Sequence, residues 1–311
     1  MIYYVLSGVL IFLLIAFFIV TYICFRLAFY VPNKRKNKPL PVGGKYENYL
    51  DDINRWAKET EQLSYRDVYI KSFDGLILHG KFYEYKKGAP IEIMFHGYRG
   101  TVERDLCGGI QRCFELRRSA LLVDHRASGK SQGNVITFGI KERYDCVRWA
   151  EFVLNEFGKD VKVLITGISM GAATVLMASS MTLPENVEGV IADCGYSSIK
   201  DIIKLTVKKM KLSPAFFYPF IKLGAIIYGG FNPDEYSPKQ AMQNAKLPVL
   251  FIHGGDDDFV PTYMSEINYD ACSQKKKLVI IDGASHGMSF PVQQNTYVSA
   301  IEEFFPNDFK G

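Results

Sequence analysis

From residue 65 onward, short apolar runs alternate with longer stretches in which apolar positions recur every three or four residues. The short runs are typical of strands and the longer stretches of helices. Eight strands are predicted: Tyr65–Lys71, Leu76–Tyr83, Ile91–Phe95, Ser119–Val123, Val161–Thr166, Gly189–Ala192, Val249–Ile252 and Leu278–Ile281. The predicted helices are Asp51–Gln62, Val102–Arg117, Ile140–Phe157, Met170–Met181, Thr262–Cys272 and Pro291–Phe305. This alternation predicts an α/β fold with a mostly parallel eight-stranded sheet flanked by helices, the first two strands forming an antiparallel pair.

One connection between strands is unusually long. More than 50 residues separate the strand ending at Ala192 from the strand starting at Val249, and they include the apolar helical stretch Pro214–Tyr228. Because ordinary connections are short, we interpret residues 196–246 as an inserted helical lid.

The N-terminal segment Ile2–Phe25 carries no charge and is long enough to cross a bilayer, which takes about 20 residues. A cleaved signal peptide is the alternative. No basic region precedes the apolar run, the run is long, and no A-x-A-like cleavage site follows. We therefore expect a transmembrane anchor over residues 1–30, a basic linker and leading helix over 31–64, and the folded domain over 65–311. The basic cluster at residues 34–38 predicts a single-pass protein with its body on the cytoplasmic side.

Charge and cysteine usage narrow the class of protein. The chain has 37 basic and 33 acidic side chains, and its basic excess is concentrated in residues 1–38, so nothing indicates a nucleic-acid partner. The six cysteines form no C-x-x-C pair. They favour buried free thiols over disulfides or a zinc site, and we expect neither a metal nor a cofactor.

The motif Gly167-Ile168-Ser169-Met170-Gly171 has the form G-x-S-x-G and lies between a predicted strand and a predicted helix. In that context the motif is typical of a nucleophile held on a sharp turn. The alternative, a glycine-rich structural turn, fits this placement less well. Ser169 is therefore the predicted nucleophile.

A serine nucleophile needs a base and an acid that orients it. Of the five histidines, only His286 lies in a loop after the last predicted strand, as the order Ser, Asp, His requires. The acid is expected just after Val249–Ile252, where three adjacent aspartates, residues 256–258, are equally well spaced. For the oxyanion, the expected donors are the backbone N–H groups of Met170 and Tyr98.

Together these motifs resemble the α/β-hydrolase superfamily, and within it the lysophospholipase, monoacylglycerol-lipase and serine-aminopeptidase group with its membrane-anchored bacterial members. The resemblance covers about residues 65–305, and its pieces are His96-Gly97, Asp124–Ser131, Gly167–Gly171, Asp193 with Tyr196–Ser198, His253–Pro261 and Ser285–Gly287. It implies that Asp257 is the acid of the triad. It also implies structural or lid-supporting roles for Asp124, Arg126 and Asp193. Ala127 departs from the glycine common in the group.

The resulting expectation is a membrane-anchored serine hydrolase that cleaves carboxylic esters through an acyl-enzyme. The apolar lid and the anchor favour lipid-like acyl esters, although the lid residues are equally suited to packing the lid on the core. A serine aminopeptidase and an acyl-protein thioesterase are the alternatives within enzymes. A non-catalytic, membrane-tethered binding protein on a hydrolase scaffold is the alternative of another class.

Overall fold

The computed structural model describes residues 1–32, 44–106 and 108–306. The basic cluster at 34–38 and Cys107 lie outside the described residues. The strands are β1 (Arg66–Lys71), β2 (Ile77–Tyr83), β3 (Ile91–Phe95), β4 (Ser119–Val123), β5 (Val163–Ile168), β6 (Val187–Asp193), β7 (Val249–Gly254) and β8 (Lys276–Ile281).

The eight strands form one sheet in the order β1-β2-β4-β3-β5-β6-β7-β8. The pairs β1–β2 and β2–β4 are antiparallel, and all other pairs are parallel. Every residue of β3 and β4 is buried, because helices cover both faces at the centre of the sheet. The predicted α/β-hydrolase architecture, with its antiparallel first pair, is confirmed.

Twelve helices surround this sheet in the described part of the chain. They are α1 (Ile2–Ala28), α2 (Leu50–Gln62), α3 (Val102–Asp105), α4 (Gly109–Glu115), α5 (Glu142–Phe157), α6 (Met170–Ala178), α7 (Ile199–Lys209), α8 (Pro214–Gly229), α9 (Pro238–Gln243), α10 (Tyr263–Ala271), α11 (Ser289–Val292) and α12 (Gln294–Phe304). A 3₁₀ helix, Gly44–Tyr49, precedes α2.

Two predicted helices are each divided in the structure. The predicted Val102–Arg117 is broken between α3 and α4, where Gly108 has a φ of +81°. A Cβ atom there would lie 2.8 Å from the Trp56 ring and 2.9 Å from the Phe290 ring, so close packing requires a glycine. The predicted Pro291–Phe305 is interrupted at Gln293, whose φ of −139° is not helical.

The long connection between β6 and β7 is helical, as predicted, and it forms α7, α8 and α9. Ser213 caps the start of α8, Pro214 occupies its first turn, and Gly230 ends it in the left-handed conformation. α8 packs along α1 rather than on the sheet.

In the described residues, α1 is the one helix that is long and apolar enough to cross a membrane, judged by length and composition. Its first two-thirds are exposed, whereas Thr21, Cys24 and Phe25 near its end are buried in the body of the protein. A Cβ atom on Gly224 of α8 would lie 2.7 Å from the Thr21 carbonyl oxygen, so the glycine lets the two helices approach closely. Of the cysteines, the five in the described residues are buried free thiols.

Candidate active site

Ser169 lies on the turn that joins the end of β5 to the start of α6. Its φ of 57° and ψ of −113° are unusual for a residue other than glycine. A Cβ atom on Gly167 would lie 2.1 Å from the carbonyl carbon of Gly171, and one on Gly171 would lie 2.1 Å from the carbonyl oxygen of Phe95. The two glycines of the motif are therefore required by the turn, which holds Ser169 in a strained conformation.

The structure brings Ser169, His286 and Asp257 together in one hydrogen-bonded chain. The Nε2 atom of His286 lies 2.9 Å from the Ser169 Oγ, and its Nδ1 lies 2.7 Å from the Asp257 Oδ2. A carboxylate accepts only, so Nδ1 carries the proton and Nε2 is free to accept the serine proton. Asp256 and Asp258 are exposed, whereas Asp257 is buried, so Asp257 is the aspartate that faces the imidazole.

The Asp257 carboxylate is held by several donors besides His286. Its Oδ1 accepts the backbone N–H groups of Phe259 and Val260, each at 2.9 Å, and its Oδ2 lies 3.2 Å from the Nε2 of His253. Burial alone would raise the pKa of Asp257, but hydrogen bonds from His253 and His286 and from the backbone hold the pKa below its ordinary value. The acid is therefore kept ionised.

His253 is a part of this arrangement that the sequence reasoning missed. Its Nε2 lies 2.8 Å from the Val260 carbonyl oxygen, which can only accept, so Nε2 is protonated and also faces Asp257. Its Nδ1 lies 2.6 Å from the Ser265 Oγ. The sequence does carry a signal for this role, because His253 lies at the end of a buried strand and four residues before Asp257.

The two residues predicted to donate to the oxyanion belong to turns near Ser169. Met170 begins α6 directly after the serine, and Tyr98 follows β3 and lines the same cavity as Ser169. His96 is buried and stabilises this second turn, because its Nδ1 lies 2.8 Å from the Gly97 carbonyl oxygen and its Nε2 accepts the N–H of His125. The N–H of Gly97 donates to the Asp105 Oδ2 at 3.0 Å.

The turn that carries Tyr98 is also bonded to the end of α1, which the sequence did not predict. The Tyr98 hydroxyl donates to the carbonyl oxygen of Ala28 at 2.6 Å. Arg99, with a φ of +52°, donates to the carbonyl oxygens of Leu27 at 2.8 Å and Tyr30 at 3.2 Å. The bonds to Leu27 and Ala28 satisfy carbonyl groups that a helix leaves without partners at its C-terminus.

A cavity of about 270 Å³ opens beside Ser169 and His286. Its apolar wall is formed by Ile53, Met94, Leu106, Ile168, Met288 and Phe290. Asp105, Arg112 and Asp193 add polar groups. No residue of the predicted lid, 196–246, lines it, so in the described structure the apolar lid side chains pack on α1 and the core rather than against Ser169.

The side chains for which the resemblance implies structural roles are buried and bond to partners other than the Ser169 hydroxyl. The backbone carbonyl oxygen of Asp193 accepts the Ser169 N–H at 2.8 Å. Asp124 lies 2.7 Å from the Nδ1 of His79, and Arg126 donates to Asp145 and Asp74. Asp193 accepts the Ser289 hydroxyl at 2.9 Å, and burial raises its pKa. Ala127 has a φ of +63°, so alanine adopts the left-handed conformation that glycine favours.

One group of potential metal ligands exists among the described residues, formed by Cys194, Asp257 and His286. Asp257 and His286 already bond to each other, and His286 also bonds to Ser169. Burial raises the pKa of the Cys194 thiol well above its ordinary value, which disfavours the thiolate that a metal requires. The donor set fits a hydrogen-bonded triad better than a metal centre.

Comparison with known proteins agrees with this fold. The chain is 28% identical over 194 residues to the uncharacterized protein YqkD of Bacillus subtilis, a match that spans 62% of this chain and 64% of that protein. It is 24% identical over 187 residues to the uncharacterized membrane protein YNL320W of Saccharomyces cerevisiae, covering 60% of each. The structure of the Pyrococcus furiosus esterase PF2001 superposes with a TM-score of 0.65 at 20% identity, covering 90% of this chain and all of that one.

The prolyl oligopeptidase family matches residues 137–311, which is more than half of the chain and includes Ser169, Asp257 and His286. The narrower lysophospholipase and monoacylglycerol-lipase group suggested by the motifs remains a prediction. With the α/β-hydrolase fold and the serine turn already described, the match shows that this chain belongs to the prolyl oligopeptidase family of serine hydrolases.

Proposed function

We propose that this protein hydrolyses carboxylic esters with Ser169 as nucleophile, His286 as general base and acid, and Asp257 as the group that orients the imidazole. The observation that carries the proposal is the chain of two hydrogen bonds, 2.9 Å and 2.7 Å long, that links the three side chains. Such a chain activates an otherwise weak hydroxyl nucleophile.

The reaction proceeds in two steps. His286 takes the Ser169 proton while the oxygen attacks the carbonyl carbon, and the N–H groups of Met170 and Tyr98 stabilise the negative charge that develops on the carbonyl oxygen. His286 then donates its proton to the leaving alcohol, which departs and leaves an acyl-enzyme. Water attacks the acyl-enzyme with the same assistance, and the carboxylic acid is released.

The cavity supports an acyl ester of moderate size as substrate. A cavity of about 270 Å³ lies beside Ser169 and His286 and can admit a substrate chain. Its largely apolar wall suits an acyl chain. We therefore infer lipid-like esters of medium chain length.

A second candidate, aminopeptidase action, is favoured by the family match and by Asp105. An aminopeptidase needs an acidic group near its nucleophile to hold the substrate amine, and Asp105 lines the cavity beside Ser169. Amino-acid p-nitroanilides test this candidate. Because Asp105 also accepts the Gly97 N–H, Asp105→Asn can lower both activities. A much larger fall with these amides than with p-nitrophenyl esters would favour the peptidase over the esterase.

For the location of the enzyme, we propose a single-pass anchor formed by α1 with the body on the cytoplasmic side. The apolar length of α1 and the basic residues 34–38 support this topology. The yeast relative's name as a membrane protein is consistent with it. Protease added to intact cells should leave the body intact, whereas digestion in intact cells would place the body outside.

Hydrolysis of p-nitrophenyl esters tests the substrate class. We expect octanoate to be cleaved more efficiently than acetate, with both activities lost in Ser169→Ala. A strong preference for acetate would contradict the lipid-like substrate. Activity that survives in Ser169→Ala would contradict the proposed nucleophile.

A further inference from the structure

α8 differs from an ordinary surface helix because it lacks a charged face. A surface helix of a soluble protein normally carries polar side chains opposite its apolar stripe. The 16 residues of α8 contain one charged side chain, Lys222, and this lysine pairs with Asp234 at 2.8 Å. Phe216, Ile226 and Ile227 are instead exposed, Phe216 by 58% of its surface.

The neighbour of α8 is the apolar helix α1, and the two helices run parallel. The Tyr228 ring near the end of α8 contacts Tyr22 at 5.2 Å and Phe25 at 5.7 Å. The Phe220 ring, two turns earlier in α8, contacts Phe17 at 5.4 Å. The N-terminal half of α8 therefore extends along α1 away from the body.

The length of exposed α1 places this contact relative to a bilayer. Residues 2–20 project from the body and, at 1.5 Å per residue, span roughly 28 Å, close to the hydrocarbon thickness of about 30 Å. Phe17 belongs to this projecting stretch. A side chain that packs on Phe17 thus lies at the depth of the acyl chains next to the body.

The turn between α7 and α8 has the composition of a segment at a lipid surface. Met210 and Leu212 are exposed apolar residues, and the exposed Lys208, Lys209 and Lys211 lie among them. Apolar side chains beside lysines are typical of helices that lie in the interface of an anionic membrane.

We propose that the N-terminal half of α8, with the α7–α8 turn, inserts into an anionic bilayer that α1 crosses. The insertion is into the leaflet that faces the body of the protein. The inference rests on the proposed anchoring of α1. It assigns the exposed apolar face around Phe216 to lipid. It also brings the active-site rim close to the membrane, because Lys209 bonds to the carbonyl oxygen of Asp258 and lies 5.6 Å from the Phe259 ring, which contacts His286.

Brominated lipids provide the test, because they quench tryptophan that contacts the acyl chains. Both native tryptophans, Trp56 and Trp149, are buried in the body, so wild-type protein sets the background. The probe is Phe216→Trp in the full chain, reconstituted into vesicles of phosphatidylcholine and phosphatidylglycerol. The matched control is Tyr85→Trp, another exposed aromatic position, which lies in the connection between β2 and β3.

We expect about a twofold loss of the added Phe216→Trp emission in brominated vesicles, as insertion by 5–10 Å would give, and no loss for Tyr85→Trp. If the emission of Phe216→Trp is the same in brominated vesicles as in ordinary vesicles, as expected for Tyr85→Trp, the inference is overturned. Fluorophosphonate labelling of the same samples tests the hydrolase separately. Quenching without labelling would contradict the proposed function alone, and labelling without quenching would contradict the membrane contact alone.

Discussion

The Tyr98 hydroxyl donates a hydrogen bond of 2.6 Å to the carbonyl oxygen of Ala28, although 70 residues separate the two along the chain. Tyr98 carries the backbone N–H that we propose for the oxyanion, and Ala28 is the last residue of α1. The end of the apolar helix thus forms part of the support of the candidate active site.

Tyr98→Phe removes this bond and keeps the backbone N–H. One hydrogen bond contributes about 0.5–1.5 kcal/mol, so we expect kcat for ester hydrolysis to fall about two- to tenfold, with little change in KM. Steady-state kinetics give the result. The control is Tyr236→Phe, which removes a hydroxyl 3.1 Å from the Ser180 Oγ and outside the cavity. Equal rates for Tyr98→Phe and wild-type protein would contradict a positioning role for the bond.

Asp257→Asn should lower kcat by about 10⁴-fold, because the amide favours the wrong imidazole tautomer for taking the serine proton. The adjacent Asp256→Asn is the matched control. Asp256 is exposed and does not face His286 in the structure, so its activity should equal that of the wild type. If instead the Asp256 variant loses activity and the Asp257 variant retains it, the acid is misassigned.

On the acid side of the pH profile, activity should depend on a single ionising group. The hydrogen bonds that lower the pKa of Asp257 keep it below the ordinary value of 3.8, so the carboxylate stays ionised through the pH range in which activity is measured. Its contribution to stability is present above pH 3.8 and is lost only as the pH falls through the lowered pKa. The logarithm of kcat/KM should therefore rise with a slope of about 1 per pH unit in the acid range. A slope near 2 would show that a second group titrates with the base.

Alanine substitutions at two glycines with similar φ angles distinguish the effect of packing on stability from the effect of backbone strain. Gly108 and Gly88 have φ values of +81° and +78°, but a Cβ on Gly88 has no atom within 4 Å, whereas one on Gly108 meets Trp56 and Phe290. Gly88→Ala should lower the free energy of unfolding by about 1 kcal/mol through backbone strain. Gly108→Ala should lower it by about 1–3 kcal/mol more, because the added methyl group overpacks the two rings. Denaturant unfolding measures both values, and equal losses would contradict the packing of α2 on this turn.

The central strands were predictable from sequence because each is a short, mostly buried segment that produces a distinct apolar run. The edge strands β1 and β8 are more exposed. Ser169 and His286 were identified from local motifs and their order along the chain. Among the three aspartates, spacing alone left the acid open, because which one is buried beside His286 depends on how the loop after β7 folds.

The remaining features depend on contacts between distant segments. A glycine in a helical pattern such as Gly108 is compatible with a continuous helix, and the break follows from the rings of Trp56 and Phe290 that pack against it. The packing of α8 on α1 and the bond from Tyr98 to Ala28 join residues far apart in sequence, so no local periodicity indicates them. The cavity wall likewise combines residues before β1 and after β8 with residues of the turns between them, and it includes no residue of the predicted lid.

The most direct test of the central claim is the intact mass of the protein after reaction with a fluorophosphonate, with peptide mapping of the modified residue. We expect one phosphonyl group per chain on Ser169 in the wild type, and no modification of Ser169→Ala. An unmodified wild-type protein, or equal modification of both proteins, would contradict the assignment of Ser169 as an activated nucleophile.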